Sequence, residues 1–403
     1  MRANEGIEKY FLEEEGREIL GKIRNTLAEF LDEHASKNAS IKTSEMRLKS
    51  ILESLSLVAP EIQPGLGVHN LLFIAAELLL LNSDTNGSLK LAVIEELEAH
   101  LHPQAQLRLI SYLQKEYNDS GVQVIVSTHS SILASKINVK NLILLKNDTS
   151  FNLSAEYTGL EKGDYLFLQR FLDSTKANLF FAKGIIMVEG DAESLLIPTL
   201  ADVIGINLEK HGISVVNVGG TGFFRYSRIF LRKDGSAIDV PISIITDCDI
   251  EPDKKAGEID QREAETTAAI VAIQQEYNVG CINAFVAPKW TFEYSVAFSC
   301  LRDMLYESIL QAKKIENSDQ YALTATKIEE IEKKLAEEKA KWSTQEPCVT
   351  AHQIYHDTML NKGNPAVKTN GTSKAIVAQC LASNLRWAIT EISSLGEGGN
   401  SLP

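Results

Sequence analysis

Two short apolar runs, rich in β-branched residues and each ending in acid, constrain the fold of this chain more than any other feature. Ile185-Ile186-Met187-Val188 leads into Glu189-Gly190, with Glu193 following. Further on, Ile242-Ser243-Ile244-Ile245-Thr246 leads into Asp247-Cys248-Asp249. Runs of this length and composition read as buried strands. Acids at their carboxyl ends fall where open α/β sheets place their chemistry. Crowded carboxylates repel one another unless hard cations lie between them, and oxygen-only clusters favour Mg²⁺ or Mn²⁺. Taken singly, Glu-Gly and Asp-x-Asp are ordinary strand-to-loop turns. In this order and spacing they are laid out as a two-metal phosphodiester site is built.

The pair of motifs resembles the topoisomerase–primase (Toprim) pattern of a Glu after one strand and an Asp-x-Asp after another. Upstream, Leu91-Ala92-Val93-Ile94-Glu95-Glu96-Leu97 resembles the Walker B segment of an ABC-type ATPase. Val124-Ile125-Val126-Ser127-Thr128-His129-Ser130 resembles its switch-histidine segment. An ABC-type ATPase followed by a Toprim domain is the architecture of the OLD (overcoming lysogenization defect) family of nucleases. The expected fold class is therefore α/β: a partial ATPase head with a helical N-terminal segment, then a Toprim domain whose mainly parallel sheet is flanked by helices. The expected domains are a helical segment over 1–60, the C-terminal half of the ATPase over 61–150, a linker over 151–180, and the Toprim domain over 181–403 with a helical insertion near 300–345.

The resemblance also implies roles for particular residues. Gly65 and Gly67 stand where the degenerate signature loop faces the γ-phosphate of ATP; read alone, they are a glycine loop starting a buried helix. Glu95 would hold the magnesium's water shell and Glu96 would polarise the attacking water. His129 would bond the γ-phosphate, although Ser-Thr-His-Ser after a strand is also an ordinary helix cap. ABC-type ATPases more often carry Asp at the first acidic position and Pro after the second, so Glu95 and Leu97 depart from the pattern. In Ala287-Pro288-Lys289-Trp290-Thr291-Phe292-Glu293, Glu293 resembles a further metal ligand of the family, and by itself reads as a surface or capping acid. Lys374, in Asn370-Gly371-Thr372-Ser373-Lys374, resembles the cation that stabilises the pentavalent transition state; otherwise it is a first-turn lysine that the helix dipole mildly disfavours.

The implied centre places Glu189, Glu193 and Asp247 on one Mg²⁺ or Mn²⁺ and Asp249 and Glu293 on a second, with Asp247 able to bridge both. DNA would be the substrate. A homodimer, a cytoplasmic setting and a partner protein from a defence operon complete the expectation. The competing readings are an SMC-like clamp or sensor that binds DNA without cutting, and primase-type nucleotidyl transfer.

Composition sets the outer bounds. The 403 residues support two or three domains. A net charge of −14 argues mildly against a general nucleic-acid coat, but bound cations reverse the field of an acidic site. Local basic surface is then needed, and Gly219-Gly220-Thr221-Gly222-Phe223-Phe224-Arg225-Tyr226-Ser227-Arg228 offers it. Gly220 would allow close backbone approach, with Arg225 and Arg228 supplying charge; equally, the segment is a glycine turn entering an amphipathic helix. The apolar run over 71–81 contains Glu77 and is too short to span a bilayer. Five irregularly spaced cysteines match neither a zinc pattern nor a disulfide framework, which fits a reducing compartment. Helices are expected over 5–34, 43–58, 160–171 and 324–342.

No G-x-x-x-x-G-K-[ST] occurs in the sequence, and Gly371-Thr372-Ser373-Lys374 is the nearest approach. The expectation is half of an ATPase head, carried on a fragment of a longer protein. The chain alone should hydrolyse ATP negligibly in a phosphate-release assay. Robust turnover abolished by Glu96→Gln would overturn that expectation.

Overall fold

The computed structural model describes residues 17, 66–83, 89–252, 259–316, 323–360 and 371–395. The helices expected over 5–34 and 43–58, residue 17 aside, lie outside the described residues, as does Gly65. Two units divide the chain, Met1–Glu77 and Leu78–Pro403. The described part of the first is chiefly the opening of helix α1 (Leu66–Ser83). This helix begins before Asn70, earlier than expected, so Gly67 lies in its first turn and not in a loop. One glycine costs a helix only about 1 kcal/mol, which the long run of helix-forming leucines outweighs.

The second unit opens with two parallel strands, β1 (Leu91–Ile94) and β2 (Gln123–Val126), in register from Leu91↔Gln123 to Ile94↔Val126. Helix α2 (Pro103–Ser120) connects them. Proline sits in its first turn, His102 caps it by accepting the Ala105 N–H, and Gly121 ends it at φ 68°. A four-residue helix α3 (Ser131–Ala134), capped by Ser130, follows β2. Strands β3 (Ile143–Lys146) and β4 (Thr149–Asn152) then form an antiparallel hairpin. Helix α4 (Lys162–Phe171) falls in the segment where a linker helix is expected.

The principal sheet has four parallel strands: β5 (Gly184–Val188), β6 (Ile213–Asn217), β7 (Ile242–Thr246) and β8 (Ile282–Val286). Their spatial order is β6-β5-β7-β8, so the chain first runs outward from β5 to β6 and then returns across β5 to β7. Helices α5 (Asp191–Val203), short α6 (Phe223–Ser227) and α7 (Ile259–Tyr277) lie along these crossovers. The reversal makes the carboxyl ends of β5 and β7 a topological switch point, where flanking loops diverge and leave a crevice. Strand β5 is nearly all buried, as its unbroken apolar run requires in a parallel sheet.

One apolar cluster packs Ile185, Met187, Val216, Phe223, Tyr226, Ile242 and Ile244 together with Leu153, Leu168 and Leu179 from the preceding segments. A second joins α5 to the C-terminal helices: α8 (Phe292–Phe298), α9 (Arg302–Glu316), α10 (Ala325–Trp342), α11 (Pro347–His352) and α12 (Lys374–Leu395). Thr324 caps α10, which buries Ile331 and Trp342 and otherwise presents charge to solvent. A π-helical turn over Gln353–Met359 continues α11. No helix among the described residues is long and apolar enough to cross a membrane.

Ile244 is fully buried at the centre of the sheet. Ile244→Ala should lower unfolding stability by about 2–5 kcal/mol, measured by urea denaturation. A loss below about 1 kcal/mol would mean that the site collapses without a cavity.

Candidate active site

Register dictates the first contact of the site. Val188 pairs with Ile245, which sets Glu189 beside Thr246 across the strand ends. The Glu189 carboxylate accepts hydrogen bonds from the Thr246 hydroxyl and, at 3.1 Å, from the Asp247 backbone N–H. The acid that ends one strand therefore caps the other. Gly190 follows because space is short: a Cβ there would stand 3.2 Å from Glu193 Oε2. The Gly219-Gly220 turn folds back on the same strand end, Gly220 donating its N–H to the Glu189 carbonyl at 2.9 Å. Gly220 has φ 127°, and open space surrounds the position where a Cβ would lie.

Asp247 Oδ1 accepts the Phe292 N–H at 2.7 Å, the first exposed donor of helix α8. Even so, burial, and then the charges of Glu293 and Glu189, push the Asp247 carboxyl up to about 7. Glu193 is buried in the first turn of α5 and is likewise raised, chiefly by burial, with Glu293 and Glu189 adding to it. Glu293, in the first turn of α8, is 3% exposed. Its Oε2 accepts from Lys374 Nζ at 2.8 Å, while Oε1 is buried with no hydrogen-bond partner. Burial works against the charge on Lys374, but the pull of Glu293 and their hydrogen bond overcome it and raise the lysine. The Lys374 ammonium also lies 5.8 Å from the centre of the Tyr355 ring.

Packing explains how a lysine so distant in sequence arrives here. Helix α12 runs along α5 and α9. Its start is fixed where Gly371 meets the end of the π turn: an added Cβ would fall 2.9 Å from the Met359 carbonyl, which also accepts the Thr372 N–H. Five expected residues (Glu189, Glu193, Asp247, Glu293 and Lys374) thus share one electrostatic neighbourhood. Asp249 stands apart at the exposed edge, with φ 57°, its N–H bonded to the Trp290 carbonyl at 3.0 Å. Trp290 itself takes φ 44°, a conformation costly for a bulky residue, and is held there against Tyr294, Tyr355, His352 and His356.

The donor set fits hard divalent cations. It offers carboxylate oxygens only, one of them buried and unsatisfied, and the charges of Glu189 and Glu293 help to raise the proton affinity of Glu193 and Asp247.

The basic segment is engaged within the chain. Arg225 is exposed with its guanidinium 4.5 Å from the Phe167 ring centre. Arg228 lies over Phe224 and 3.4 Å from Asp164, and Arg232 pairs with Asp234. On the ATPase side, Glu95 and Glu96 are exposed beyond β1, Glu96 at φ 47°, with its N–H on Ser127 Oγ. His129 is exposed.

Several participating residues carry no expectation from the sequence. Glu98 accepts from Thr128 Oγ1 and His129 N–H, both at 2.6 Å, and so ties the Walker-B-like segment to the histidine segment. Burial raises its carboxyl, but those two bonds, together with its own backbone N–H and the charge of His129, outweigh burial and leave it below the usual range. Thr246, Trp290, Thr291 and Tyr355 support the acidic centre. Thr246 was signalled only by its place directly before Asp-x-Asp, and Thr291 only by its capping position before Glu293; Tyr355 had no signal.

A parallel sheet with Glu after its first strand and Asp-x-Asp beyond the switch point defines a Toprim domain. The family model described as "Overcoming lysogenization defect protein-like, TOPRIM domain" matches residues 180–249, and that described as "AAA ATPase domain" matches residues 4–134. The chain thus carries an OLD-type Toprim domain behind an AAA-type ATPase segment, in the order expected of the OLD family. Among relatives, it is 32% identical over 224 residues to Endonuclease GajA of Bacillus cereus strain HuB5-5, covering 48% of this chain and 32% of that one. It is 31% identical over 183 residues to the Old nuclease of Escherichia phage P2, covering 43% of this chain and 30% of that protein. The chain therefore spans about a third of the length of the curated relatives it matches. The C-terminal region of the Burkholderia pseudomallei OLD protein aligns with 53% of this chain and 98% of that one, at 24% identity and TM-score 0.27.

Asp247 tests the electrostatics directly. Its carboxyl is raised in the folded state, so it contributes stability below the unfolded value near 3.8 and loses that contribution as pH rises through about 7. In metal-free protein, Asp247→Asn keeps the acceptor for the Phe292 N–H and removes the repelled charge. The variant should melt several degrees higher than the parent at pH 8 and at nearly the same temperature at pH 4, by differential scanning calorimetry. A lower melting temperature at pH 8 would show that the carboxylate is not under strain.

Proposed function

We propose that this chain contributes the cleavage domain of a divalent-metal-dependent DNA endonuclease coupled to an ABC-type ATPase. The observation that carries the reading is the convergence of Glu189, Glu193, Asp247 and Glu293 with Lys374 at the switch point of the sheet. Its direct supports are the unsatisfied Glu293 Oε1 and the raised Asp247 carboxyl, both of which a cation would relieve. Glu189, Glu193 and Asp247 would hold one Mg²⁺ or Mn²⁺, and Asp249 and Glu293 a second. When bound, such a pair lowers the pKa of an attacking water and neutralises charge on the leaving 3′-oxygen.

The chain's own groups supply the remainder. Lys374 would keep a positive charge beside the scissile phosphate, where Glu293 holds it protonated and aimed. The Gly219-Gly220 turn, open above Glu189, would let a phosphate approach the backbone, with exposed Arg225 adding charge. Arg228 serves that reading less, since its guanidinium is committed to Asp164 and Phe224. Glu95, Glu96 and His129 would act on ATP with a phosphate-binding loop supplied outside this sequence, and the Glu98 bonds would report the state of one segment to the other. ABC-type heads work in pairs, so a homodimer is proposed.

The test is nicking of supercoiled plasmid with Mg²⁺ or Mn²⁺, alongside metal titration and with nucleotides present or absent. Asp247→Ala should abolish both cleavage and metal organisation. Lys374→Ala should leave metal binding nearly intact and slow cleavage by about 10²–10³-fold, the size usual for losing one preorganised charge. Parental nicking by Asp247→Ala would end the metal-centre reading; parental nicking by Lys374→Ala would remove only the lysine's role. Binding without cutting would favour the clamp.

A further inference from the structure

The ligand atoms that converge most closely among the described residues are not those of the acidic centre. Glu251, His352 and His356 each offer one atom, all within 4.8 Å of one another. His356 Nε2 lies 3.6 Å from Glu251 Oε1, too far for a good hydrogen bond. Two ligands held at about 2.0–2.2 Å in a tetrahedral arrangement stand roughly 3.3–3.6 Å apart, so the separation suits a shared ion better than a direct contact.

Two further features point the same way. The other ring nitrogen of His356, Nδ1, is 2.8 Å from Asp357 Oδ1. A carboxylate on Nδ1 fixes the tautomer that leaves Nε2 as a lone-pair donor, the outer-shell arrangement found behind metal-bound histidines. The two imidazoles also stack, with centroids 4.5 Å apart and planes at 25°, although the residues straddle the join of α11 and the π turn. The wider π turn, marked by the Leu360 N–H bonding the Tyr355 carbonyl at 2.8 Å, brings residues four apart nearly into line. Such turns cluster at functional positions.

Ligand chemistry separates this site from the acidic one. Two imidazoles and one carboxylate suit Zn²⁺ and its late first-row neighbours, whereas oxygen-only sets suit Mg²⁺ and Mn²⁺. Glu251 side-chain exposure of 45% against 14% for His356 leaves a water-facing side, while His352 is buried. The placement carries a consequence. Glu251 follows Asp247-Cys248-Asp249, and the Arg262 guanidinium binds its carbonyl at 2.7 Å. Trp290, whose carbonyl anchors the Asp249 N–H, rests against both histidines.

We propose that Glu251, His352 and His356 bind one zinc-class divalent ion, distinct from the acidic centre, which pins the loop bearing Asp249 to the α11 wall. Asp357 is a positioning residue for His356.

The test uses the full chain dialysed against chelator and then titrated with Co²⁺, whose visible absorption reports nitrogen and oxygen ligation, with Zn²⁺ as competitor and bound zinc counted by mass spectrometry. One tightly held equivalent of Zn²⁺ is expected. Glu251→Gln and His356→Ala should each weaken it at least tenfold, and Asp357→Asn about tenfold, within the 10–100-fold usual for outer-shell partners. Asp247→Ala should leave it unchanged, and zinc should raise the melting temperature of the parent and of Asp247→Ala alike. Circular dichroism confirms that each variant is folded; should His356→Ala fail, Glu251→Gln on the exposed loop decides. Zinc that does not bind, that binds equally to Glu251→Gln, or that is lost with Asp247→Ala overturns the proposal. None of these readouts depends on DNA cleavage, so the fate of the nuclease reading remains separate.

Discussion

The ion pair between Lys374 and the buried Glu293 balances the charge on which the C-terminal half of this protein turns. Burying a carboxylate to 3% exposure is costly unless something replaces the water around it. Lys374 does so on one oxygen at 2.8 Å, and the other oxygen is buried with no hydrogen-bond partner. To deliver that ammonium, α12 must lie along α5 and start at a fixed point, which explains why Gly371 meets the Met359 carbonyl so closely. The helical layer beyond the sheet therefore serves as the frame that keeps a cation within reach of the switch point.

Glu189, Asp247 and Glu293 each accept hydrogen bonds, yet one oxygen of Glu293 is left without a partner. Glu189 takes two donors from the end of β7, and Asp247 takes one from the start of α8. These bonds fix where the carboxylates stand, while burial and the neighbouring acids keep the proton affinity of Asp247 and Glu193 high. A centre built this way holds its geometry while its acids outnumber the one Lys374 ammonium, which is the condition a cation-binding site must meet. At its edge Asp249 and Trp290 take positive φ angles, and the aromatic side chains packed around Trp290 hold it in that strained conformation.

The ATPase-like segment follows a different logic. Glu95 and Glu96 are exposed, and the engaged acid is Glu98, which binds both Thr128 and the His129 backbone. The two acids directly after β1 are left outside, and the acid that joins two loops is turned toward them. The same distinction separates Arg225 from Arg228 in the basic segment, for only the second is paired with an acid.

By itself the sequence determined the strands and their acidic ends, because an apolar, β-branched run broken by Glu-Gly or Asp-x-Asp has few other ways to satisfy its backbone and its carboxylates at once. It determined in the same way helix α10, expected over 324–342 and found over Ala325–Trp342. The sequence places the start of α1 after Asn70, whereas the helix begins at Leu66, since a single glycine is a weak breaker inside so apolar a run. Only the tertiary structure decided that Lys374 neutralises Glu293, that Glu98 joins its two loops, that Arg228 is spent on Asp164, and that Glu251, His352 and His356 meet. Each of these depends on side chains brought together from distant positions by helix packing or a π turn, and such contacts leave no periodicity in the chain for a reader of the sequence to find.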